Sequence, residues 1–155
     1  MQKQINLRIH HFFDIIRAFG KDEKMMPNPR GHSLHEIAEL VRLDPDLKIK
    51  IVLDCDSTCK GCDYLENNHC KDRIDHRKDF ISKEEFNNYI DKRIMEKCHI
   101  GENEVYVSQE LCQDKAKLYL NNIDFIYAGN DDWHTELRRE HFIKGLKYYK
   151  ELHNL

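Results

Sequence analysis

Long apolar runs are missing from this chain of 155 residues, and none approaches the ~18 residues of a membrane span. The opening residues, MQKQINLR, lack the apolar stretch and the small-residue cleavage site of a secretory signal peptide. Both absences predict a protein of the cytoplasm that has no contact with a membrane. Thiols stay reduced in that compartment, so a disulfide framework is disfavoured.

Motifs for common enzyme chemistry are missing as well. The sequence has no glycine-rich phosphate loop, no setting for a nucleophilic serine and no acidic pair with persuasive spacing. The net charge of -3 offers no general attraction to nucleic acid, so a nucleic-acid partner is not expected. Whether the chain is an enzyme stays open, and any reactivity must come mainly from a metal centre. The expected partners are a redox protein or a small-molecule substrate.

Hydrophobic periodicity predicts an α+β fold. We expect one mainly helical domain over residues 1–155, with a small, partly parallel sheet and a cysteine-rich metal loop. Strands are expected at residues 5–9, 48–53 and 105–107, and a loop at 21–32. Helices are expected from Phe12 to Gly20, after a Ser33/Glu36 capping box, after a Ser82/Glu85 capping box, from Ser108 to Gly129, and from Asp131 or Asp132 onward.

The order strand, helix, helix, strand over residues 5–53 predicts a parallel pair of strands joined by a helical crossover. The carboxyl ends of these strands then lie at one edge of the sheet, where open α/β sheets place their ligands. His10, His11 and Asp14 follow the first strand, and Cys55 opens the cysteine-rich stretch after the second. We therefore predict a mixed site in which these three candidate catalytic residues meet the cysteines. Asp14 lies three and four residues after the histidines, so it can orient either imidazole.

Cysteine is concentrated in one short stretch of the chain. Four of the six cysteines lie within sixteen residues that are rich in turn formers: Cys55, Cys59, Cys62 and Cys70. Thiolates that are crowded in a reducing compartment most often bind a soft metal centre. We therefore predict that these four cysteines bind a cofactor.

Three kinds of site are possible for this stretch. A [4Fe–4S] cube needs thiolates at separate corners, and three close cysteines with one outlying donor suit that shape. A zinc ion takes four donors in a tetrahedron, although zinc sites are usually built from two separated pairs. Disulfides are disfavoured by the compartment. The Cys-x3-Cys-x2-Cys spacing also occurs in radical-SAM enzymes, but those need a far larger barrel, and Gly61 stands where they usually have an aromatic residue.

A family resemblance rests on two motifs: the opening LRIHHFFD at residues 7–14, and the stretch DSTCKGC that begins at Asp56 and precedes a further cysteine. Both resemble a small domain family of unknown function whose members are labelled iron–sulfur-binding. That family typically opens Leu-Arg-Pro-His-His-Leu-Leu-Cys and continues with an Asp-x-x-Cys-x-x-Cys-Pro stretch. The similarity spans residues 5 to about 115. It implies signature residues His10 and His11, and ligands Cys59, Cys62 and Cys70.

Two departures from this family's pattern bear on the fourth ligand. Ile9 replaces the proline, which is minor, whereas Asp14 replaces the cysteine of the opening motif. The fourth ligand is then Asp14 or Cys55, and Cys55 is favoured because a thiolate is the softer donor. We expect a cytosolic [4Fe–4S] protein that acts in electron transfer or in small-molecule chemistry at the cluster. The alternative is a structural zinc-binding interaction module without catalysis.

Ordinary structural roles are also possible for several of these side chains. His10 and His11 can serve as a polar cap at the junction of strand and helix. His69 can replace a cysteine as a ligand, although solvent exposure is the simpler expectation. Cys98 and Cys112 fall on apolar helical faces, so both are expected in the core.

Overall fold

A computed structural model describes residues 3–21, 31, 33–67 and 69–155 of the chain. The α+β, mainly helical fold class predicted from the sequence is confirmed. The loop expected at residues 21–32 lies largely outside the described residues. A 3-10 helix occupies Ser57–Cys59 and a π-helical turn Leu111–Lys115. The other elements are β1 (Gln4–Leu7), α1 (Ile9–Phe19), α2 (Leu34–Leu43), β2 (Lys48–Ile51), β3 (Leu65–Glu66), β4 (His69–Cys70), α3 (Lys83–Cys98), β5 (Val105–Val107), α4 (Ser108–Glu110), α5 (Ala116–Asn121), α6 (Ile123–Ile126) and α7 (Asp132–Leu152).

The main sheet has the strand order β1-β2-β5. β1 and β2 run parallel, with Leu7 beside Ile51, whereas β5 runs antiparallel to β2. The parallel pairing predicted from the chain order is thereby confirmed. Both parallel strands are shorter than expected. The first ends at Leu7, and Ile9 already begins α1. The second ends at Ile51 rather than at Leu53, where the chain turns into the cysteine-rich segment. The side chain of Ile9 is fully buried with the apolar face of that helix.

Helices α1 and α7 cross at very short range in the centre of the fold. A Cβ atom on Gly20, at the end of α1, would collide with the backbone of α7, and one on Gly145 of α7 would collide with the backbone of α1. Aromatic rings fill the space beside the crossing. Phe13 stacks on Tyr119 with ring centroids 4.3 Å apart and meets Phe142 edge-on. Burial of each such apolar side chain stabilises the fold by about 1.5–3 kcal/mol, so this crossing is a main source of stability.

The two predicted capping boxes have different outcomes. Ser33 precedes α2, but its side chain makes no capping hydrogen bond, so this prediction is wrong. Its hydroxyl donates instead to the carbonyl of Lys60 at 2.8 Å, because the cysteine-rich segment passes next to it. The second box is confirmed in its first half, since the Ser82 hydroxyl accepts the N–H of Glu85 at 3.3 Å.

The chain after β5 is helical but interrupted. The single helix expected from Ser108 to Gly129 is divided into α4, the π-helical turn, α5 and α6. The break between α5 and α6 lies at Asn122, which leaves helical geometry with φ -118° and ψ 12°. Helix α7 begins at Asp132, as expected, and runs for 21 residues. In the part of the chain that the structure describes, no helix combines the length and the apolar character that crossing a bilayer requires.

Candidate metal centre

The cysteine loop, residues 54–70, follows β2 and is shaped by short local turns. Its 3-10 helix at Ser57–Cys59 is capped by the side chain of Asp56, which accepts a backbone N–H. Gly61 makes the next turn with φ 82°, a left-handed conformation that favours glycine. Strands β3 and β4 then pair antiparallel and place Cys70 opposite Leu65.

One cavity of about 350 Å³ lies between the cysteine loop and the helices. His10, His11 and Asp14 line it from α1. The structure thus brings the three candidate catalytic residues together with all four predicted ligands, as the sheet-edge argument predicts. The ligands in its wall are Cys55, Cys59, Cys62 and Cys70.

The four thiols are free and partly buried. Burial raises the pKa of Cys55 to about 12, and the neighbouring Cys59 adds to this effect. Burial and the nearby carboxylate of Asp56 also raise the pKa of Cys59, whose Sγ lies 3.7 Å from Asp56 Oδ1. Thiols with raised pKa values stay protonated unless a positive centre stabilises the thiolates, and a bound metal has that effect on its sulfur ligands.

Two of the four thiols, those of Cys55 and Cys59, are close enough to interact directly. Among the described residues, no three of the cysteine sulfurs lie within 4.8 Å of one another. Zn–S bonds of ~2.3 Å in a tetrahedron require sulfurs only ~3.8 Å apart. No three of these thiols are therefore as close together as the ligands of a single tetrahedral ion are.

The side chain of Asp56 connects the cysteine loop to the start of α1 through hydrogen bonds. Its buried carboxylate accepts the N–H of Arg8 at 2.7 Å and the hydroxyl of Thr58 at 2.6 Å, and it pairs with His11 Nδ1 at 2.7 Å. Burial acts to raise the pKa of Asp56, but His11 and these hydrogen bonds outweigh it and hold the pKa well below its usual range. The same carboxylate raises the pKa of His11 against the effect of burial. The contact is therefore a charge-assisted one, the stronger kind of hydrogen bond.

His10 has a carboxylate partner of its own. Its Nδ1 lies 2.8 Å from Asp91 Oδ1, and its backbone N–H donates to the same oxygen at 2.9 Å. Asp91 is fully buried in α3 and also pairs with Arg8 at 3.0 Å. Both imidazoles are thus oriented through Nδ1 by a carboxylate, the arrangement that positions histidine as a ligand or proton carrier through Nε2.

Asp14 does not orient either imidazole, which was one role expected from its spacing. Its carboxylate pairs with Arg138 Nη1 at 2.6 Å and lies 3.9 Å from Arg17 Nη2. The reason is the tight crossing of α1 and α7, which places a permanently charged guanidinium beside it. The guanidinium of Arg138 also covers the ring of Tyr127 at 4.0 Å.

Sequence reasoning missed three of the polar residues at the site: Asp56 as a histidine partner, Asp91 and Arg138. Their contacts with α1 join residues 45, 81 and 124 positions apart, and no helical or strand spacing links residues so distant. A usable signal existed for Asp91, because it interrupts the apolar stripe of α3 between Ile90 and Ile94. A carboxylate in such a stripe is rarely buried without a partner.

His69 and the two remaining cysteines lie where the sequence places them. The His69 side chain is 64 % exposed and pairs with Glu84 at 3.1 Å. With Asp54 these two residues form a group of three potential ligand atoms within 4.8 Å of one another, on the exposed side of the loop. Cys98 and Cys112 are buried in the core, as predicted.

Comparison with known proteins identifies a family. Residues 31–131, well over half of the chain, match the family described as "Protein of unknown function (DUF1284)". The chain therefore belongs to the DUF1284 family, and the resemblance to an uncharacterised family is confirmed to that extent. The matched residues contain the cysteine loop and begin after His10, His11 and Asp14, so the match does not test the opening motif or the iron–sulfur label. No curated protein and no solved structure matches the chain.

Proposed function

For this member of the DUF1284 family, we propose an iron–sulfur protein of the cytoplasm that holds one [4Fe–4S] cluster. The proposed ligands are Cys55, Cys59, Cys62 and Cys70. The observation that carries the proposal is the convergence of these four thiols on one cavity, in a loop whose described residues bury no apolar side chain. Such a loop needs another source of order, and a bound inorganic centre supplies one.

The spacing of the four cysteines along the chain favours a cluster over a single ion. Three close cysteines with one outlying donor suit the separate corners of a cube, whereas zinc sites are usually built from two separated pairs. The raised pKa values of Cys55 and Cys59 mean that a positive centre is needed to keep them as thiolates. Asp14 is already paired with Arg138, which supports Cys55 as the fourth ligand.

Two modes of action fit such a centre: electron transfer with four thiolates, or small-molecule chemistry at an iron that three thiolates leave open. When bound, such a cluster supplies one-electron redox chemistry or an iron that takes a substrate. Nδ1 of His10 contacts Asp91, and Nδ1 of His11 contacts Asp56. Nε2 of each ring can therefore hold or move a proton in the cavity. Electron transfer alone does not require two oriented imidazoles beside the cluster.

The proposal is tested by purification without oxygen, followed by iron, sulfide and zinc analysis and an absorption spectrum. We expect about four iron and about four sulfide per chain with broad visible absorption. Cys59→Ser should lose most of both. Cys112→Ser is the matched control, because this cysteine is buried in the core outside the cavity, and it should keep them. A colourless protein with about one zinc per chain would replace the proposal by a structural zinc-binding interaction module.

Cys55→Ser distinguishes the two modes of action. If four thiolates hold the cluster, as an electron carrier requires, this variant should show altered cluster spectra and a lower iron content. Unaltered spectra would remove Cys55 from the ligand set. The fourth iron would then be open to a substrate beside His11 and Asp14.

A further inference from the structure

A second cavity of about 560 Å³ lies next to the one that the cysteines line. The two cavities share three wall residues, namely His76, Asn130 and Arg138. The second cavity is therefore separated from the first by a partition of side chains rather than by a packed layer of core. Its volume lies in the range of small-molecule sites, ~300–1,000 Å³.

The partition between the cavities carries excess positive charge. Arg138 and Arg17 share one carboxylate, that of Asp14, at 2.6 Å and 3.9 Å. Two guanidinium charges against one carboxylate leave one positive charge. Burial acts to raise the pKa of Asp14, but the two arginines outweigh it and hold the pKa well below its usual range, so the carboxylate stays ionised. Arg17 Nε is buried, and among the described residues it has no hydrogen-bond partner.

The outer wall of the second cavity is aromatic. Trp133 lines it with 62 % of its surface exposed, and the neighbouring ring of His134 lies 3.7 Å from the indole, centroid to centroid. His134 also lies 3.8 Å from Asp131, the acidic residue of this wall. A large exposed indole beside a concave surface is typical of a site where a planar ring stacks.

We propose that the second cavity binds a small aromatic oxyanion, with its carboxylate or phosphate near Arg17 and Arg138 and its ring against Trp133. The ligand then lies at the partition, with its anionic end toward the cysteine cavity. The assignment of this ligand as the substrate of the metal centre rests on the proposed function. The binding itself does not, because every residue it uses lies outside the cysteine loop.

Trp133 supplies the readout, since it is the only tryptophan in the chain. The full chain, without a cluster, is titrated with benzoate and with phenyl phosphate while indole fluorescence is followed. We expect saturable quenching with a dissociation constant at or below about 1 mM for at least one of the two probes. The better probe identifies the oxyanion as carboxylate or phosphate. Benzyl alcohol, the neutral control, should not saturate. Equal binding of benzyl alcohol, or no saturable binding of either anion, would overturn the proposal.

Charge variants test the contact that binds the anion. Arg17→Gln should weaken binding of the better probe about tenfold or more, as expected for loss of a charged hydrogen bond. Lys147→Gln removes the same charge from a side chain that is 76 % exposed on the distal part of α7, and binding should stay within about twofold. Equal losses in the two variants would mean diffuse attraction and would contradict the proposal.

A ring variant keeps the proposal testable if Arg17→Gln fails to fold. Trp133→Ala changes an exposed side chain, and calorimetry should show severalfold weaker binding, whereas Trp133→Phe should retain most of the affinity. Unchanged affinity in Trp133→Ala would contradict the ring contact.

Because these titrations use protein without a cluster, their outcome is independent of the iron and sulfide analysis. Repeating them on the iron-loaded chain, with the visible spectrum as readout, tests the link: a spectral shift on binding supports the substrate role, and its absence refutes that role alone.

Discussion

The helical core and the cysteine loop are stabilised by different interactions. Among the described residues between 52 and 86, the buried side chains are those of Asp56 and Thr58, and both are polar. The core depends on apolar packing, whereas the loop depends on hydrogen bonds and, in our proposal, on sulfur–metal bonds. In that proposal the scaffold persists without the cluster, whereas the order of the loop depends on it. In α1 alone the fully buried side chains are Ile9, Phe12, Phe13, Ile15 and Ile16.

The largest loss of stability is expected from a change in the core, Gly145→Val. A Cβ atom there would collide with the carbonyl oxygen of Ile16, so α1 and α7 must move apart. We expect the free energy of unfolding in urea to fall by about 3 kcal/mol or more. Gly101→Ala is the control, because its nearest neighbours are atoms of the flexible Glu104 side chain, and it should cost less than about 1 kcal/mol. Similar unfolding midpoints for the two variants would show that the crossing is not the stabilising element.

The next largest effect is expected where the loop meets the core, from Asp56→Ala. The change leaves the buried donors of Arg8 and Thr58 without their acceptor, at a cost of about 2–3 kcal/mol. The hydrogen-exchange rate of the Arg8 amide should increase more than the exchange rates of the amides in α7. Asp63→Ala changes an exposed carboxylate of the same loop and should leave this exchange rate unaltered. An equal acceleration in both variants contradicts the anchoring role of Asp56.

A smaller and pH-dependent effect is expected from Asp14→Asn. The folded pKa of Asp14 is below the ~3.9 of an unfolded aspartate, because Arg138 and Arg17 outweigh burial. Its ion pair therefore stabilises the fold above about pH 4 and is lost as the pH falls through the folded pKa. In cluster-free protein the variant should lose about 1–2 kcal/mol at pH 7 and much less near pH 2. Asp124→Asn breaks an ion pair whose carboxylate is 80 % exposed and should change little at either pH. A difference that does not depend on pH would refute this account of Asp14.

The smallest effect on the fold as a whole is expected from loss of the metal centre. Cluster-free protein should keep nearly all of its helical signal in far-ultraviolet circular dichroism, while a protease cuts within residues 54–70. Under native conditions an alkylating reagent should then modify the four loop cysteines. Cys98 and Cys112 should stay unmodified, because both are buried and burial raises the pKa of Cys98 to about 12. If helicity is lost in proportion to the metal, the helical core does not remain folded without the metal centre.

Local patterns predicted the elements of the fold better than their ends. Alternation at Ile5 and Leu7 and the apolar residues from Ile49 to Leu53 predicted the strands, and the helices between them required the parallel pairing. The end of the first strand was misplaced because Ile9 fits the apolar pattern of a strand and of a helix equally. The prediction for Ser33 failed because its hydroxyl found a tertiary partner, and a capping rule considers only neighbours in sequence.

The residues of the candidate site could be predicted from the sequence, but their hydrogen-bond and ion-pair partners could not. Residue type and the sheet-edge rule selected the cysteines together with His10, His11 and Asp14, and all of them line one cavity. The partners of these three side chains come from the cysteine loop, α3 and α7. Asp91 and Arg138 reach α1 only because the helices pack as they do, and sequence spacing carries no information about that approach.

We propose that an iron–sulfur cluster lies among the four cysteines of the loop. Its most direct test is an anomalous difference map from crystals grown without oxygen, recorded at the iron and the zinc absorption edges. We predict a strong iron peak in the 350 Å³ cavity, surrounded by the sulfur atoms of these four cysteines. A peak at the zinc edge alone, or side chains of the loop with no metal between them, would rule out an iron–sulfur cluster at this site.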